Sequence, residues 1–361
     1  MVHAAMGSLS NAFPAARAVL RDAIAARAFP AAVVEVGDST QLLWREAFGR
    51  LTFEPDAPEA RLDTIFDLAS LTKVLATTLL VVRDVEQGAL ALDDELGMHL
   101  PRWHEAGREP ITIRDLLSHS SGLPAHRPFF RDLRGREAFE SAICGTPLEY
   151  APRTRSVYSD LGFMLLGFVL ERTASLPARV DVLKTRIGTA EDLQFLPPEA
   201  WRRRTAPAHR DPWRGRLLVG EVDDENAWAL GGAAGHAGLF GTAAGVGDVA
   251  RHVLQVLDGR TGAFRGDTIA TFVARRREVP GSSRALGWDT MLPTSSCGTR
   301  MSPRAFGHTG FTGTSLWVDP DLGVYVVLLT NRVYPDRTND TIARVRPALH
   351  DAVMDGVLGD R

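Results

Sequence analysis

Ser70 and Lys73, set three residues apart in Ser70-Leu71-Thr72-Lys73, pair a hydroxyl that could attack a carbonyl with an amine that could exchange its proton. On a helix, positions i and i+3 share a face, so the two groups can meet. A serine at the helix start would also sit among unpaired backbone N–H groups, which favour a developing anion. A neutral lysine there could take the serine proton directly. A serine cap beside a solvated lysine would carry the same four letters, but two observations weigh against it. Phe66, Leu68, Ala69, Leu71, Val74 and Leu75 surround the pair with apolar residues. Of the 41 basic residues, only Lys73 and Lys184 are lysines. In a chain so biased toward arginine, a retained lysine suits work that a guanidinium cannot do, because arginine keeps its proton.

Tyr158-Ser159-Asp160 stands just before an apolar helical run at 161–173. A phenol can relay protons where a nearby cation lowers its pKa. Asp160 could orient Lys73 or a substrate amide, and it would equally serve as N-cap of the helix from Leu161. Further on, Gly307-His308-Thr309-Gly310-Phe311-Thr312-Gly313 precedes a strand pattern at 314–318. Its glycines would let a ligand approach the backbone and lie along the strand edge, where N–H groups could complete an oxyanion hole. A glycine-rich hairpin turn with a surface histidine is the competing description. His236, within Gly235-His236-Ala237-Gly238-Leu239-Phe240, could line a pocket or make a structural hydrogen bond. No His-Glu-x-x-His spacing, P-loop or Gly-x-Ser-x-Gly elbow occurs, so neither a metal nor a cofactor is expected.

The elements that must position these residues follow from periodicity. Residues 9–28 predict an amphipathic helix, and 31–36 with 41–48 predict a β-hairpin turning at Gly37-Asp38-Ser39-Thr40. Residues 70–86 predict a helix apolar on most of its surface, hence a buried one. Shorter helices are predicted at 113–118, 161–173 and 246–257. Strands are predicted at 286–291, 314–318 and 323–330, the last apolar enough to be central, before a closing helix at 339–358. Strands at both ends with helices between them give an α+β expectation: an antiparallel sheet flanked by N- and C-terminal helices, with a large, mostly helical insertion. The corresponding division is a discontinuous sheet domain, 1–63 with 281–361, and a helical domain, 64–280, with the active site between them.

The chain has 361 residues, 45% hydrophobic and 24% charged, with a net charge of −3. That is ordinary for a globular protein and leaves no basic footprint for nucleic acid or anionic membrane. The arginine triplets 202–204 and 275–277 are offset by acids elsewhere and are expected to be solvated surface. Two cysteines, Cys144 and Cys297, provide no disulfide framework. No window of eighteen consecutive apolar residues occurs, so no membrane span is expected. The first residues lack the pattern of an export signal, which makes the cytoplasm the default expectation.

Taken together and in this order, the S-x-x-K, Tyr-x-Asp and His-Thr-Gly elements resemble those of the serine β-lactamases, D,D-peptidases and related esterases, a family whose class A signature is well defined. The tyrosine makes the class C β-lactamase branch the nearer one. Residues 29–37 resemble the family's opening hairpin. Leu116-Leu117-Ser118-His119-Ser120-Ser121-Gly122-Leu123-Pro124 is similar to its LLTHTSGLP stretch, and 235–240 to its glycine-rich loop. The resemblance implies that Ser70 attacks a carbonyl to form an acyl-enzyme, with Lys73 and Tyr158 sharing the acid and base work. It also implies an oxyanion hole from the N–H groups of Ser70 and Phe311, with Asp160, His308, Thr309, Gly310 and His236 around the substrate.

Two departures bear on the substrate, which the resemblance limits to a small ester, amide or β-lactam. His308 stands where β-lactamases carry lysine, and as a histidine only partly charged at neutral pH it should hold a substrate carboxylate less firmly. Asp160 stands where class C β-lactamases have asparagine, and should keep Lys73 protonated. Both favour a carboxylesterase-type or peptidase-type hydrolase over an efficient β-lactamase. The rival is a D,D-carboxypeptidase or penicillin-binding protein, supported by the likeness of 223–240 to bacterial members of that group; such substrates lie outside the cytoplasm. A non-catalytic scaffold of the same fold would be expected to have lost Ser70, Lys73 or Tyr158, and none is lost.

Overall fold

The computed structural model describes residues 13–105, 110–189 and 191–359. Its strands are, in chain order, β1 (Ala31–Asp38), β2 (Leu42–Gly49), β3 (Phe66–Asp67), β4 (Leu193–Phe195), β5 (Arg210–Asp211) and β6 (Arg216–Leu217). They continue with β7 (Leu239–Gly241), β8 (Asp289–Thr290), β9 (Phe306–Thr309), β10 (Ser315–Asp319) and β11 (Val324–Thr330). The main sheet is antiparallel, in the order β2-β1-β11-β10-β9-β8. A second, three-stranded sheet has the order β3-β7-β4, and β5 pairs with β6.

β1 and β11 pair at the centre of the main sheet, with Ala32 opposite Thr330 and Asp38 opposite Val324. Ala32, Val34, Val36, Val326 and Leu328 face a core shared with the terminal helices Pro14–Ala25 and Ile342–Gly359. Ala31, Val33, Val327 and Leu329 face the larger core, which includes Val246, Val249 and Val253 of the helix Ala243–Leu257. Both faces of these strands are therefore covered, which explains why they read as continuous apolar runs. The α+β architecture expected from the sequence, with terminal helices against an antiparallel sheet and helices between its strands, is the one found. No described helix is long and apolar enough to cross a membrane.

Several boundaries differ from expectation. The start of the expected first helix, 9–12, lies outside the described residues, and the helix runs Pro14–Ala25. The strand expected at 286–291 shrinks to Asp289–Thr290, because only those two residues find partners on β9. β9 itself was not expected; four residues that include Gly307 carry too little pattern to read as a strand. His308 and Thr309 therefore stand on a strand and not in a loop. The helix after Ser70 contains a π-helical turn, Lys73–Thr78, before continuing as Leu79–Glu86. Such turns recur at functional sites, and nothing in residue periodicity signals them.

Candidate active site

Ser70 lies at the mouth of a buried turn that enters the central helix. Ala69, just before it, has φ +47, a left-handed conformation costly for a residue with a Cβ. The turn is held by Asp67, whose Oδ1 accepts the Ala69 N–H at 2.8 Å. From the other side Leu68 donates its N–H to Leu239 O, and Leu239 donates to Thr72 Oγ1, so β7 clamps the start of the helix.

Lys73 has no exposure and directs its ammonium at three acceptors: Ser70 Oγ at 3.0 Å, His236 O at 3.0 Å and Asp160 Oδ1 at 2.8 Å. The first two are hydrogen bonds and the third is an ion pair. Burial alone would lower its pKa, but the Asp160 carboxylate beside it opposes burial and holds it above its ordinary value. The resting lysine is thus charged, as Asp160 led us to expect. The alternative expectation, a neutral Lys73 that takes the serine proton directly, does not describe this resting state. Asp160 is the first residue of the helix Asp160–Leu170, while Ser159 caps it by accepting the Gly162 N–H. The carboxylate of Asp160 is therefore committed to Lys73 and not to the cap.

The carbonyl of His236 reaches Lys73 because the glycine loop lies directly on the helix Asp160–Leu170. A Cβ on Gly235 would come within 2.1 Å of Phe163 O and 2.8 Å of Gly167 N, and Thr77 Oγ1 donates to Gly235 O at 2.6 Å. Gly235→Ala is expected to cost about 3 kcal/mol in chemical denaturation, because one backbone must retreat from another. It should also slow any reaction that needs Lys73 in place. An unchanged denaturation midpoint would refute this close-packing account.

Tyr158 is caged by His119, whose ring centroid is 4.6 Å away, and by Lys73, 4.9 Å from its ring centroid. His119 has φ +55, accepts the Ser159 N–H at Nδ1 and accepts the Val157 N–H at its carbonyl, so it holds the loop on both sides of Tyr158. Burial raises the Tyr158 pKa, Lys73 and Ser70 oppose this, and the net effect is a phenol above its ordinary value. Its hydroxyl forms no bond of regular geometry among the described residues.

On β9, His308 donates from Nδ1 to Thr309 O at 2.8 Å, which leaves the Nε2 lone pair buried and unpartnered near Tyr158, 5.7 Å ring to ring. The turn after β9 is held by Gly310 N–H on Thr314 O, by Thr312 Oγ1 on Asp67 O and by Arg332 Nε on Phe311 O. The N–H groups of Ser70 and Phe311 have no protein acceptor among the described residues.

A two-lobed cleft opens at these groups, and Ser70, Tyr158 and Phe311 line both lobes. One lobe, about 340 Å³, is lined by His308, Thr309 and Gly310 and by three arginines, Arg284, Arg332 and Arg346. The other, about 300 Å³, is lined by Asp160, Asp223, Asp224 and Glu225, with Arg337 and His126. His236 is not among the residues lining either lobe; its ring is buried and bonded to Asp224 Oδ1 at 2.9 Å.

The Beta-lactamase family model matches residues 16–349. The chain belongs to the Beta-lactamase family. Among relatives in that family, a protein of Escherichia coli (strain K12) provisionally named a D-alanyl-D-alanine carboxypeptidase is 30% identical over 349 residues, covering 84% of this chain and 79% of the relative. One of the same name from Salmonella gallinarum is 30% identical over 321 residues, covering 78% and 73%. Among solved structures, EstCE1, a hydrolase with promiscuous acyltransferase activity, superposes with a TM-score of 0.76 at 24% identity, covering 96% of this chain and 99% of that one. A penicillin-binding protein homologue from Caulobacter crescentus superposes at 0.75 with 20% identity, covering 96% and 98%. These similarities establish the β-lactamase/transpeptidase-like fold and a serine hydrolase of the Beta-lactamase family.

Against the family pattern, His308 departs further than expected. It is not partly charged: burial, with Lys73 and Arg284 nearby, holds its pKa well below the ordinary histidine value. Three arginines, Arg284, Arg332 and Arg346, line the same lobe as His308. Arg346 donates to Gly310 O and Thr314 O, its Nε is buried without a partner, and it forms no ion pair among the described residues. Burial and Arg332 push its pKa down to about 9, a strain that an anion beside it would relieve. Arg284 lies 5.2 Å from the Tyr158 ring centroid, with Asp289 at 3.9 Å. Sequence reasoning missed these arginines, because nothing sets them apart within a chain whose 41 basic residues are arginine at every position but Lys73 and Lys184. It also missed Asp67 and the ring of His119. For Asp67 a signal existed: a lone acid between Phe66 and Leu68 in an apolar run.

Proposed function

We propose that the chain is a carboxypeptidase-type serine hydrolase that cleaves an amide next to a free carboxylate, with peptides ending in D-alanyl-D-alanine as the substrate class. The cluster of Arg284, Arg332 and Arg346 beside Ser70 carries this reading, because a cationic lobe of about 340 Å³ suits a small anionic leaving group. The names of the 30%-identical relatives agree with it. Of the two grounds in the sequence for a carboxylesterase-type or peptidase-type hydrolase, the arginines offset the weakened grip on carboxylate at His308 and so favour the peptidase, while Asp160 suits either.

In this reading the scissile carbonyl lies over Ser70 with its oxygen between the N–H groups of Ser70 and Phe311. Ser70 Oγ bonds to the carbonyl carbon and passes its proton to Tyr158 Oη, while Tyr158 gives its own proton to the departing nitrogen. The proton count balances without a phenolate at rest, which suits the raised pKa of Tyr158. Lys73 stays an ammonium and stabilises negative charge as it passes between Ser70 and Tyr158. Water then enters by the reverse relay and releases the acid. Asp160 keeps Lys73 charged and aimed, and His308 offers its Nε2 lone pair beside Tyr158. Thr309 and Gly310 present the strand edge along which the peptide would lie.

The test compares a diacyl-Lys-D-Ala-D-Ala peptide with its C-terminal amide, in wild type and in Arg284→Gln. Wild type is expected to cleave the free acid in preference to the amide. Arg284→Gln should lower kcat/KM for the acid about 10- to 100-fold, the worth of one charge-assisted hydrogen bond, and leave the slow amide reaction unchanged. Equal cleavage of acid and amide, or turnover of short nitrophenyl esters alone, would replace this reading by the esterase.

A further inference from the structure

We propose that Asp67 is a positioning residue for the nucleophile, acting through the backbone as an ionised carboxylate that ties the Ser70 turn to the acidic loop and the oxyanion turn. Three connections carry this. Asp67 Oδ1 accepts the N–H of Ala69 at 2.8 Å, and Oδ2 accepts the N–H of Asp223 at 2.6 Å. Its own carbonyl accepts the Thr312 hydroxyl at 2.7 Å, one residue beyond Phe311. One residue therefore joins the left-handed turn before Ser70, the wall of the acidic lobe and the segment that presents the Phe311 N–H. It rests on the proposed function only in taking Ser70 as the nucleophile.

The side chain is buried and has no cation of its own among the described residues. Asp223 and Asp224 press against it with like charge. The nearby cations are engaged elsewhere: Lys73 on Asp160, Arg337 on Asp223 and Glu225, His209 on Asp223, His236 on Asp224, and Arg332 on backbone carbonyls. Among the described residues, two backbone N–H groups, of Ala69 and Asp223, favour the charged form. When the carboxyl takes a proton, one oxygen becomes a donor facing an N–H, so either Ala69 or Asp223 must be released. Burial, with Asp223 added, raises the carboxyl to about 7. Its folded-state pKa lies above the ordinary aspartate value of 3.8, so the charged form costs stability, which falls as pH rises from about 4 through 7. The connections, and with them a positioned Ser70, are complete only above about 7. Stability and nucleophile placement thus run in opposite directions with pH, as happens where strain is stored at a working site.

The experiment follows covalent labelling of Ser70 by a fluorophosphonate in the full chain from pH 5.5 to 9. Wild type should lose about tenfold in labelling rate between pH 8 and pH 6, the change expected for one group titrating near 7. Asp67→Asn can accept only one of the two N–H groups, so it should label about tenfold or more slowly at pH 8 and show no fall toward pH 6. An Asp67→Asn protein that keeps the wild-type acid limb overturns the inference, because the limb then belongs to another group. If that variant does not fold, wild type labelled with [4-13C]aspartate decides. A carboxyl resonance titrating near 7 in step with the labelling rate supports the assignment, and no such resonance between pH 5.5 and 8.5 overturns it. Failure of the proposed function looks different: acid and amide peptides would be cleaved equally while the labelling profile of Ser70 stayed as described, whereas no labelling of Ser70 at any pH would overturn the inference by removing its nucleophile.

Discussion

Ser70→Ala is expected to abolish covalent capture by penicillins and fluorophosphonates and to lower peptide turnover about 10⁴-fold or more, the scale on which loss of a catalytic nucleophile is felt. The fold should survive, because Ser70 is partly exposed and its side chain does no more than receive one N–H of Lys73 at 3.0 Å. Mass spectrometry of the probe adduct, with the denaturation midpoint measured beside it, checks both halves. A Ser70→Ala protein that still forms the adduct would move the nucleophile elsewhere. Among the described residues near the cleft, only Ser70 has a hydroxyl with the Lys73 ammonium on its oxygen and the free N–H of Phe311 within the same cavity, so relocation would also dissolve the mechanism.

Lys73→Arg is expected to slow acylation about 10³-fold although it keeps the positive charge, within the range usual for loss of a positioned proton-transfer group. Lys73 is completely buried, and its compact ammonium meets a serine, a carbonyl and a carboxylate at 2.8–3.0 Å. A planar guanidinium on a longer stem cannot present three donors to that same triangle, and complete burial of the position leaves its extra length no path to solvent. If Lys73 served only to balance Asp160, arginine would retain activity within about tenfold. Single-turnover acylation rates, read beside near-ultraviolet circular dichroism to confirm packing, separate the two outcomes. Rates near wild type would show that charge alone is required.

How far the site was legible depends on how local each signal is. The Ser70–Lys73 pair was readable because both residues lie on one turn of chain, where spacing dictates geometry, and because the scarcity of lysine marks Lys73. Tyr158 and Asp160 were readable as a motif, but their connection to Lys73 was not, since it forms across 85 or more residues of sequence and depends on how the helix Asp160–Leu170 packs against the central helix. The neutral state of His308 was read less well. A histidine's charge is set by burial and by neighbours such as Lys73 and Arg284, and sequence alone does not show either.

The fold divides in the same way. By itself the sequence determined the central strands β1 and β11, whose apolar runs suit a sheet covered on both faces, and the buried helix after Ser70, apolar around its circumference. It also determined the family motifs and the identity of the nucleophile candidate. Only the tertiary structure decided the π turn at Lys73–Thr78, the strand carrying His308, and the gathering of Arg284, Arg332 and Arg346 into one lobe of the cleft. The physical reason is range. Periodicity and spacing report on contacts within a few residues, whereas the charge balance of the cleft sums groups drawn from Asp67 to Arg346, each weighted by a burial that exists only once the chain has packed.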